Sequence, residues 1–362
     1  MPSFDIIREV NPERTFRVSS VIGTFDLQTE NIKEHFIGNI DLPKNWQIGL
    51  IVGNSGTGKT TIAKELFPNE YITTFNYSAK SIIDDMPEEC SVQEITKTFN
   101  SVGFSSPPSW LKPYSVLSNG EKMRVDLANA ILQKKELFVF DEFTSVVDRN
   151  VARIGSFAMQ KAIRKTNKKF IAVGCHFDVI DWLMPDWVFN TNDMTFHSFE
   201  GQKKNPPKRN IKIYETKAKR AFWEMFRKYH YLSHNHNNSA RVFILTLNDE
   251  ICGFCSVLPF PHPKKKNYYK EHRTVILPDY QGIGLGHLLS NNVAEILKSE
   301  EKAFISTSSS PAFIQSRKAD KKWIITRVGR TSKGGDTGKI QNKNKRKSTS
   351  TNRITVSFEY KG

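Results

Sequence analysis

A nine-residue segment constrains the fold of this chain more than any other feature. It contains, in order, Gly53, Asn54, Ser55, Gly56, Thr57, Gly58, Lys59, Thr60 and Thr61. An apolar run at 48–52, IGLIV, comes directly before it. This pattern predicts a buried strand, a glycine-rich turn and the N-terminus of a helix, where free backbone N–H groups can surround phosphates. We therefore expect the loop to bind a nucleoside triphosphate, with Lys59 on its β and γ oxygens and Thr60 on Mg²⁺.

Three further segments, all downstream of the loop, narrow the class of protein. They are LSNGE at 117–121 before a helical stretch at 122–132, an apolar strand at 136–140 that ends in Asp141 and Glu142, and an apolar strand at 170–175 followed by His176. In this order they resemble the signature motif, the Walker B motif and the switch histidine of ABC-type ATPases. The resemblance implies a P-loop NTPase domain of α/β class that binds and hydrolyses ATP.

The resemblance also implies a role for each polar residue of the site. Asp141 would hold Mg²⁺, Glu142 would orient or deprotonate the attacking water, and His176 would contact the γ-phosphate. The alternative for Asp141 and Glu142 is that they merely end a strand.

The signature segment implies a second subunit. In ABC-type ATPases, residues equivalent to Ser118 and Gly120 complete the nucleotide site of the other protomer, so one such unit per chain implies a homodimer. Asn119 and Glu121 depart from the usual Gly and Gln of the motif.

Two other family features have weaker counterparts here. Phe25 is the candidate for the aromatic residue that stacks on adenine, and the alternative is a core phenylalanine in an apolar strand. A strand end is expected at 81–85, SIIDD, where the family has a glutamine that couples to transporter membrane subunits. The carboxylates at that place weaken a transporter role.

Charge divides the chain into two parts. Residues 1–200 carry 21 Lys and Arg against 25 Asp and Glu, a net of −4, whereas residues 201–362 carry 32 against 12, a net of +20. A basic linker with two prolines lies at 201–210, GQKKNPPKRN, and can continue neither a helix nor a central strand. We therefore predict an ATP-binding domain at 1–200 and a second, smaller domain at 211–362.

No apolar run approaches the roughly 20 residues of a membrane span. We therefore expect a cytoplasmic protein with reduced cysteines and no membrane partner.

The second part has a phosphate-binding pattern of its own. A strand at 273–277 and a turn at 278–280 lead into a glycine loop, and a helix follows at 287–298. The loop consists of Gln281, Gly282, Ile283, Gly284, Leu285 and Gly286. Its spacing resembles the pyrophosphate-binding loop of GCN5-related N-acetyltransferases, the GNAT family, which implies acetyl-CoA as the cofactor.

The surrounding segments extend this resemblance. They are a hairpin of strands at 241–247 and 251–258, a strand at 303–307 expected to splay from the preceding one so that the thioester can enter, and a closing edge strand at 354–360. Together they imply a GNAT-like fold of α+β class for residues 211–362.

Acetyl transfer needs a base for the acceptor amine and often an acid for the leaving thiolate. Glu271 or His272 is placed where some family members keep the base, and the alternative is that both are solvated surface residues. The family's tyrosine acid would fall near Ser316 or Arg317, so Tyr231 is considered in its place.

Other clusters have simpler explanations. Cys252 and Cys255 have C-x-x-C spacing near three histidines, but positions three apart on a strand face opposite sides, so a zinc site is disfavoured. His230, His234 and His236 are expected either to line an acceptor cleft or to lie in a plain loop. Basic inserts at 264–266 and 333–353, the second predicted to be a flexible hairpin loop, suit contacts with nucleic acid.

The sequence therefore leaves three functions open. The preferred one is an ABC-type ATPase coupled to an N-acetyltransferase that acts on a nucleic acid or a nucleic-acid-associated protein, in an arrangement associated with phage and mobile elements. The second is an ATPase switch whose GNAT-like part only binds nucleic acid or protein. The third is the ATP-binding subunit of a transporter.

Overall fold

The computed structural model describes residues 3–10, 13–26, 32–199, 202, 209–230, 235–261, 267–330 and 354–362. Several predicted features lie outside this part of the chain: most of the 201–210 linker, Tyr231, His234, and the basic inserts at 264–266 and 333–353.

The described chain forms two compact units. The first comprises residues 1–77 and 129–207, and the second comprises residues 78–128 and 208–362. Residues 78–128 thus group with the second unit, although the sequence-based division places them with residues 1–200. The domain boundaries drawn from the sequence stay predictions.

The first unit contains eight strands and four complete helices within the described residues. They are β1 (Ser3–Val10), α1 (Phe16–Phe25), β2 (Ile32–Asn39), β3 (Ile48–Val52), α2 (Lys59–Leu66), β4 (Tyr71–Ile72), β5 (Leu137–Phe140), α6 (Arg149–Ile163), β6 (Lys169–Gly174), α7 (Val179–Leu183), β7 (Trp187–Asn190) and β8 (Thr195–Ser198). β1 and β2 pair as an antiparallel ribbon.

The main sheet of this unit has the order β4-β5-β6-β3-β7-β8. Its first five strands are parallel and β8 is antiparallel to β7. All five residues of β3 are buried, as expected of an apolar run at the centre of a parallel sheet. The carboxyl ends of β3, β5 and β6 therefore lie at one edge, the edge at which α/β sheets bind ligands. This is the P-loop arrangement that the sequence predicts.

A helical segment belongs to the second unit. It contains a 3-10 helix (Ile82–Asp85), α3 (Val92–Ser101), α4 (Pro107–Trp110), a second 3-10 helix (Tyr114–Val116) and α5 (Asn119–Leu132), whose last four residues fall in the first unit. The strand end expected at 81–85 is therefore wrong. The Asp85 carboxylate accepts hydrogen bonds from the N–H groups of Ser78 and Ala79 at 2.9 and 2.8 Å. Such local bonds favour a turn over a strand.

In its described residues, the rest of the second unit is a mixed sheet with three α-helices. Its elements are β9 (Ile211–Thr216), α8 (Lys219–Phe226), a 3-10 helix (Arg227–Tyr229), β10 (Arg241–Leu247), β11 (Glu250–Pro259), β12 (Tyr268–Ile276), a 3-10 helix (Pro278–Tyr280), α9 (Leu285–Ser299), β13 (Ala303–Ser308), α10 (Pro311–Ala319), β14 (Trp323–Arg330) and β15 (Ile354–Tyr360). Leu289, Val293 and Leu297, spaced at four residues, are fully buried on one side of α9. The predicted hairpin, glycine loop and helix are confirmed.

The strand order in this sheet corrects one expectation. The order is β14-β15-β13-β12-β11-β10-β9, so β15 lies between β13 and β14 and is not an edge strand. Val356, Phe358 and Tyr360 share one face of β15 and are buried, and the Trp323 ring packs against the rings of Phe358 and Tyr360. β14 takes the edge.

Within the described residues, no helix combines the length and the apolar character needed to cross a membrane.

Candidate functional site

The glycine-rich loop at 53–58 joins β3 to α2 as predicted. Gly58 precedes α2 with φ 82°, and Lys59 Nζ donates to the carbonyl oxygen of Asn54 at 2.5 Å. The turn between β7 and β8 braces the loop: Asn192 Oδ1 accepts from the Asn54 N–H at 2.8 Å, and the hydroxyls of Thr57 and Thr191 lie 2.5 Å apart. Sequence reasoning missed these two contacts, because the turn carries no motif.

The predicted magnesium residues meet at the carboxyl edge of the sheet. Thr60 Oγ1 donates to Asp141 Oδ2 at 2.8 Å. The Tyr71 hydroxyl donates to the same carboxylate oxygen. Burial, together with the hydrogen bond to Asp141, raises the pKa of Tyr71 well above its usual value, so Tyr71 stays a donor at neutral pH. Hydroxyl and carboxylate oxygens are ligands that suit Mg²⁺.

Glu142 has a different environment from Asp141. Its side chain is exposed, and its backbone has φ 51°, a left-handed conformation that is uncommon outside glycine and concentrates at functional sites. The Glu142 N–H donates to Asp141 Oδ1 at 2.8 Å. His176 is half-buried two residues beyond the end of β6. The roles of Glu142 and His176 stay predictions.

The signature segment starts α5 with a reciprocal cap. Ser118 Oγ accepts from the Glu121 N–H at 3.3 Å, and Glu121 Oε2 accepts from the Ser118 N–H at 3.0 Å. Ser109 Oγ donates to the other carboxylate oxygen of Glu121 at 2.9 Å. Glu121, the departure from the family's Gln, therefore stabilises the helix start. Ser118 and Asn119 are exposed, whereas Gly120 is buried.

Phe25 is neither in a strand nor in the core. It is the last residue of α1 and 68% exposed. The alternative of a core phenylalanine is therefore wrong, and a contact between Phe25 and adenine stays a prediction.

The second glycine loop leads into the N-terminus of α9. Gly282 and Gly284 both have φ 89°, and α9 begins at Leu285. At Gly284 this conformation turns the chain into the helix, which glycine does without strain. Ile283 and Leu285 bury their side chains, so the loop can offer a ligand mainly its backbone. The first N–H groups of a helix have no partner within it, and they favour anions.

The expected splay between strands is present. β12 pairs with β13 only over Tyr268 to Lys270, which face Ala303 to Ile305. The rest of β13, from Ser306 to Ser308, pairs only with β15 on its other side. The two parallel strands therefore separate at Glu271. That a thioester enters at this place stays a prediction.

Glu271 lies where the two strands separate and forms a buried ion pair with Arg317. Its Oε2 accepts from Arg317 Nη2 at 2.7 Å and from the Ser306 hydroxyl, and its Oε1 accepts from Thr274 Oγ1 at 2.5 Å. Burial alone would raise the pKa of Glu271, but the charge of Arg317 and the two hydroxyl donors hold that pKa below its usual value. Arg317, near which the resemblance would place the tyrosine acid, is fully buried.

His272 is the extra residue of a β-bulge. Ser256 of β11 pairs with Arg273 and Val257 pairs with Glu271, so His272 has no partner on that strand. Burial, followed by the charge of Arg273 and two nearby histidines, lowers the pKa of His272 to about 4. His272 is therefore neutral at pH 7.

His272 belongs to a histidine cluster made of His230, His236 and His272. The rings of His236 and His272 are 5.6 Å apart, and Trp223 of α8 lies 5.4 Å from His236. Within the described residues, His236 Nε2 and His272 Nδ1 are buried and have no hydrogen-bond partner. His230 and His236 both lie against Trp223 of α8, and the expectation that they line an acceptor cleft stays a prediction.

Neither a metal cluster nor a disulfide appears in the described part of the chain. It holds no group of three or more His, Cys, Asp or Glu side chains placed to bind a metal ion. All four cysteines are free thiols, and Cys252 and Cys255 are buried in β11.

Comparisons with known proteins each match only a part of the chain. Residues 178–312 match the model of the acetyltransferase (GNAT) family. The mRNA export factor elf1 of Schizosaccharomyces pombe is 27% identical over 143 residues, which are 33% of this chain, and the chain spans only 13% of that relative.

Solved structures resemble parts of the chain at low sequence identity. A dimeric ATP-binding cassette in a post-hydrolysis state with ADP and Pi is 12% identical, with a TM-score of 0.40, over 55% of this chain and 98% of the cassette. The ribosomal-protein-S18-alanine N-acetyltransferase of Escherichia coli is 15% identical, with a TM-score of 0.30, over 42% of this chain and 93% of the enzyme. The chain is thus a mixed α/β protein that has ABC ATPase cassettes among the neighbours of its N-terminal part and a GNAT-family domain matched at residues 178–312.

Proposed function

We propose that the chain is an ABC-type ATPase coupled to an acetyl-CoA-dependent N-acetyltransferase. The observation that carries the proposal is the loop at 281–286, which begins α9 directly beside the gap between β12 and β13. Helix N-terminal amides would hold the pyrophosphate, and the gap would admit the pantetheine arm and the thioester. The family match at 178–312 supports the same cofactor.

The first unit would bind and hydrolyse ATP with Mg²⁺. The contact of 2.8 Å between Thr60 and Asp141 supports a magnesium site at this pair, since both oxygens can turn to one ion. Glu142 would serve the attacking water. The exposed signature residue Ser118 and its neighbour Gly120 would complete the site of a second copy, which makes the active form a homodimer.

Acetyl transfer requires an amine to attack the thioester carbonyl, lose a proton to a base and expel the thiolate of coenzyme A. His272 is more available as the base than Glu271 is, although its pKa of about 4 makes it a weak one. His272 is neutral at pH 7 and has a ring nitrogen without a partner among the described residues. Glu271 already accepts from three side chains, Arg317, Ser306 and Thr274.

The acceptor would be a nucleic acid or a protein bound to one. The net charge of +20 over residues 201–362 supports a polyanionic partner. The name of the elf1 relative, an mRNA export factor, is in keeping with RNA.

A second function has one observation in its favour. Arg317, near the place of the family's tyrosine acid, is buried and paired with Glu271, so two positions of the family's chemistry form a structural ion pair. This supports an ATPase switch whose GNAT-like part binds a partner without acetyl transfer. A transporter subunit rests on the nucleotide motifs alone.

The deciding experiment is transfer of labelled acetyl groups from acetyl-CoA. The full chain with Mg²⁺ and ATP is incubated with RNA, with DNA and with a protein extract, and labelled products are separated. Label on an acceptor supports the transferase, whereas acetyl-CoA binding without label favours the non-catalytic switch. Absence of acetyl-CoA binding in calorimetry contradicts both uses of the glycine loop.

A further inference from the structure

A buried arginine joins the signature segment to the glycine loop of the same unit. Arg124 lies in α5, one turn after Gly120, and is 1% exposed. Its Nη1 donates to the carbonyl oxygen of Gly120 at 3.1 Å, and its Nη2 donates to the carbonyl oxygen of Asp279 at 3.1 Å. Asp279 belongs to the 3-10 helix directly before the loop at 281–286. One planar guanidinium therefore bridges the two segments.

A second contact reaches the loop from the residues after α3. The N–H of Ser105 donates to Gln281 Oε1 at 3.1 Å, and Gln281 Nε2 donates to the carbonyl oxygen of Ile276 at 2.9 Å. The side chain of Gln281 is thus engaged at both ends within the unit.

Gly103 permits this close approach. It has φ 88°, and a Cβ built on it would lie 2.7 Å from the carbonyl oxygen of Gln281. A side chain at this position would push against the backbone of the loop, and it would also be strained.

We infer that Arg124, Gly103 and Gln281 position the acetyl-CoA loop, so that engagement of Ser118 and Gly120 by nucleotide changes the affinity for acetyl-CoA. The inference rests on the proposed function. Gly120 sits at the start of α5, where nucleotide of a second copy would bind, and its carbonyl shares the Arg124 guanidinium with Asp279. A shift of the first turn of α5 would therefore move Arg124, and with it the backbone that leads into the loop at 281–286.

Such a coupling is reciprocal, because each ligand must change the affinity for the other by the same factor. A hydrolysis-resistant ATP analogue should change the acetyl-CoA dissociation constant of the wild-type chain by roughly tenfold, within the range of about 5- to 150-fold typical of allosteric coupling. The analogue affinity should change by the same factor when acetyl-CoA is added.

The test uses calorimetry of acetyl-CoA on the full chain, with and without the analogue and Mg²⁺. Arg124→Ala should weaken acetyl-CoA binding and remove the effect of the analogue, while analogue binding itself persists. Lys97→Ala is the matched control, since it removes an exposed positive charge from α3 of the same segment. It should behave as the wild type does.

Gly103→Ala gives a second test that adds only one methyl group. It should also weaken acetyl-CoA binding, whereas Gly23→Ala, whose Cβ would meet nothing within 4 Å, should not. If Arg124→Ala does not fold, Gly103→Ala decides.

The outcomes separate the inference from the proposed function. Wild-type affinity and an intact analogue effect in both variants would overturn the inference and leave the proposed function standing. A wild-type chain that binds no acetyl-CoA would instead overturn the proposed function, and the inference with it.

Discussion

Asp141 and Glu142, the two carboxylates that follow β5, have different surroundings. Asp141 accepts hydrogen bonds from Thr60 and Tyr71, whereas Glu142 is exposed and has a left-handed backbone. We expect Glu142→Gln to lower ATP turnover by about 10²- to 10⁴-fold, the usual contribution of a general base, while ATP binding remains. Phosphate release and nucleotide binding measure the two effects.

Lys59→Ala is the contrasting variant for this prediction. It should weaken ATP binding itself, because it removes the positive charge from the loop. Hydrolysis by Glu142→Gln at the wild-type rate would show that Glu142 does not serve the attacking water.

His272 should make the folded protein less stable as the pH falls below 6.5. Its folded-state pKa of about 4 lies below the ordinary value of 6.5, so between these values the unfolded chain binds the additional proton. The contribution of His272 is fully present above pH 6.5 and is lost as pH falls toward 4. Calorimetric melting from pH 7 to pH 4 should show a shallower decline for His272→Asn than for the wild type. Parallel declines would contradict the buried neutral state of His272.

Among the elements, the N-terminus of α9 carries the proposed cofactor site. Gly284→Asp should abolish acetyl-CoA binding, because the residue at φ 89° becomes strained and a carboxylate would repel the pyrophosphate. ATP binding should survive, since the nucleotide loop lies in the first unit. Calorimetry with each ligand separates the two sites. Unchanged acetyl-CoA affinity in this variant would place the cofactor elsewhere.

The sequence was informative wherever a motif requires one local geometry. A glycine-rich segment between an apolar strand and a helix can adopt few backbone conformations. Both loops, and the strands leading to them, were therefore predictable. The same holds for Thr60 and Asp141, since the carboxyl ends of β3 and β5 share one edge of a parallel sheet.

The parts of the fold and of the site that the sequence did not predict depend on contacts between residues far apart in the chain. Tyr71, Thr191 and Arg124 belong to no motif, and only the folded chain brings them to Asp141, Thr57 and Asp279. The 3-10 helix at 82–85 is accompanied by hydrogen bonds from Ser78 and Ala79 to Asp85, which the apolar pattern did not indicate. A phage or mobile-element origin stays a prediction.

At the scale of the whole molecule, the uneven charge predicts a strong salt dependence. A surface that neutralises several phosphates releases counterions, so the affinity for RNA or DNA should fall with a log–log slope of roughly −0.7 to −0.9 per phosphate. Replacing Lys343, Lys345, Arg346 and Lys347 by Ala in the full chain should flatten this slope and leave ATP hydrolysis unchanged. Fluorescence anisotropy with a mixed-sequence oligonucleotide between low and high salt measures it.

One outcome of this measurement would contradict the proposal of a nucleic-acid partner. If the wild-type chain and the fourfold variant bind the oligonucleotide equally weakly at low salt, the charge of +20 serves solubility or an acidic protein instead.

The place of β15 has a consequence for how the second sheet can fail. Because β15 lies between β13 and β14, its local detachment would uncover the hydrogen-bonding groups of two strands at once. Unpaired strand edges are templates for pairing with other chains. Fraying of this one strand would therefore expose the unpaired edges of β13 and β14 together, and aggregation through this sheet would begin at those two edges.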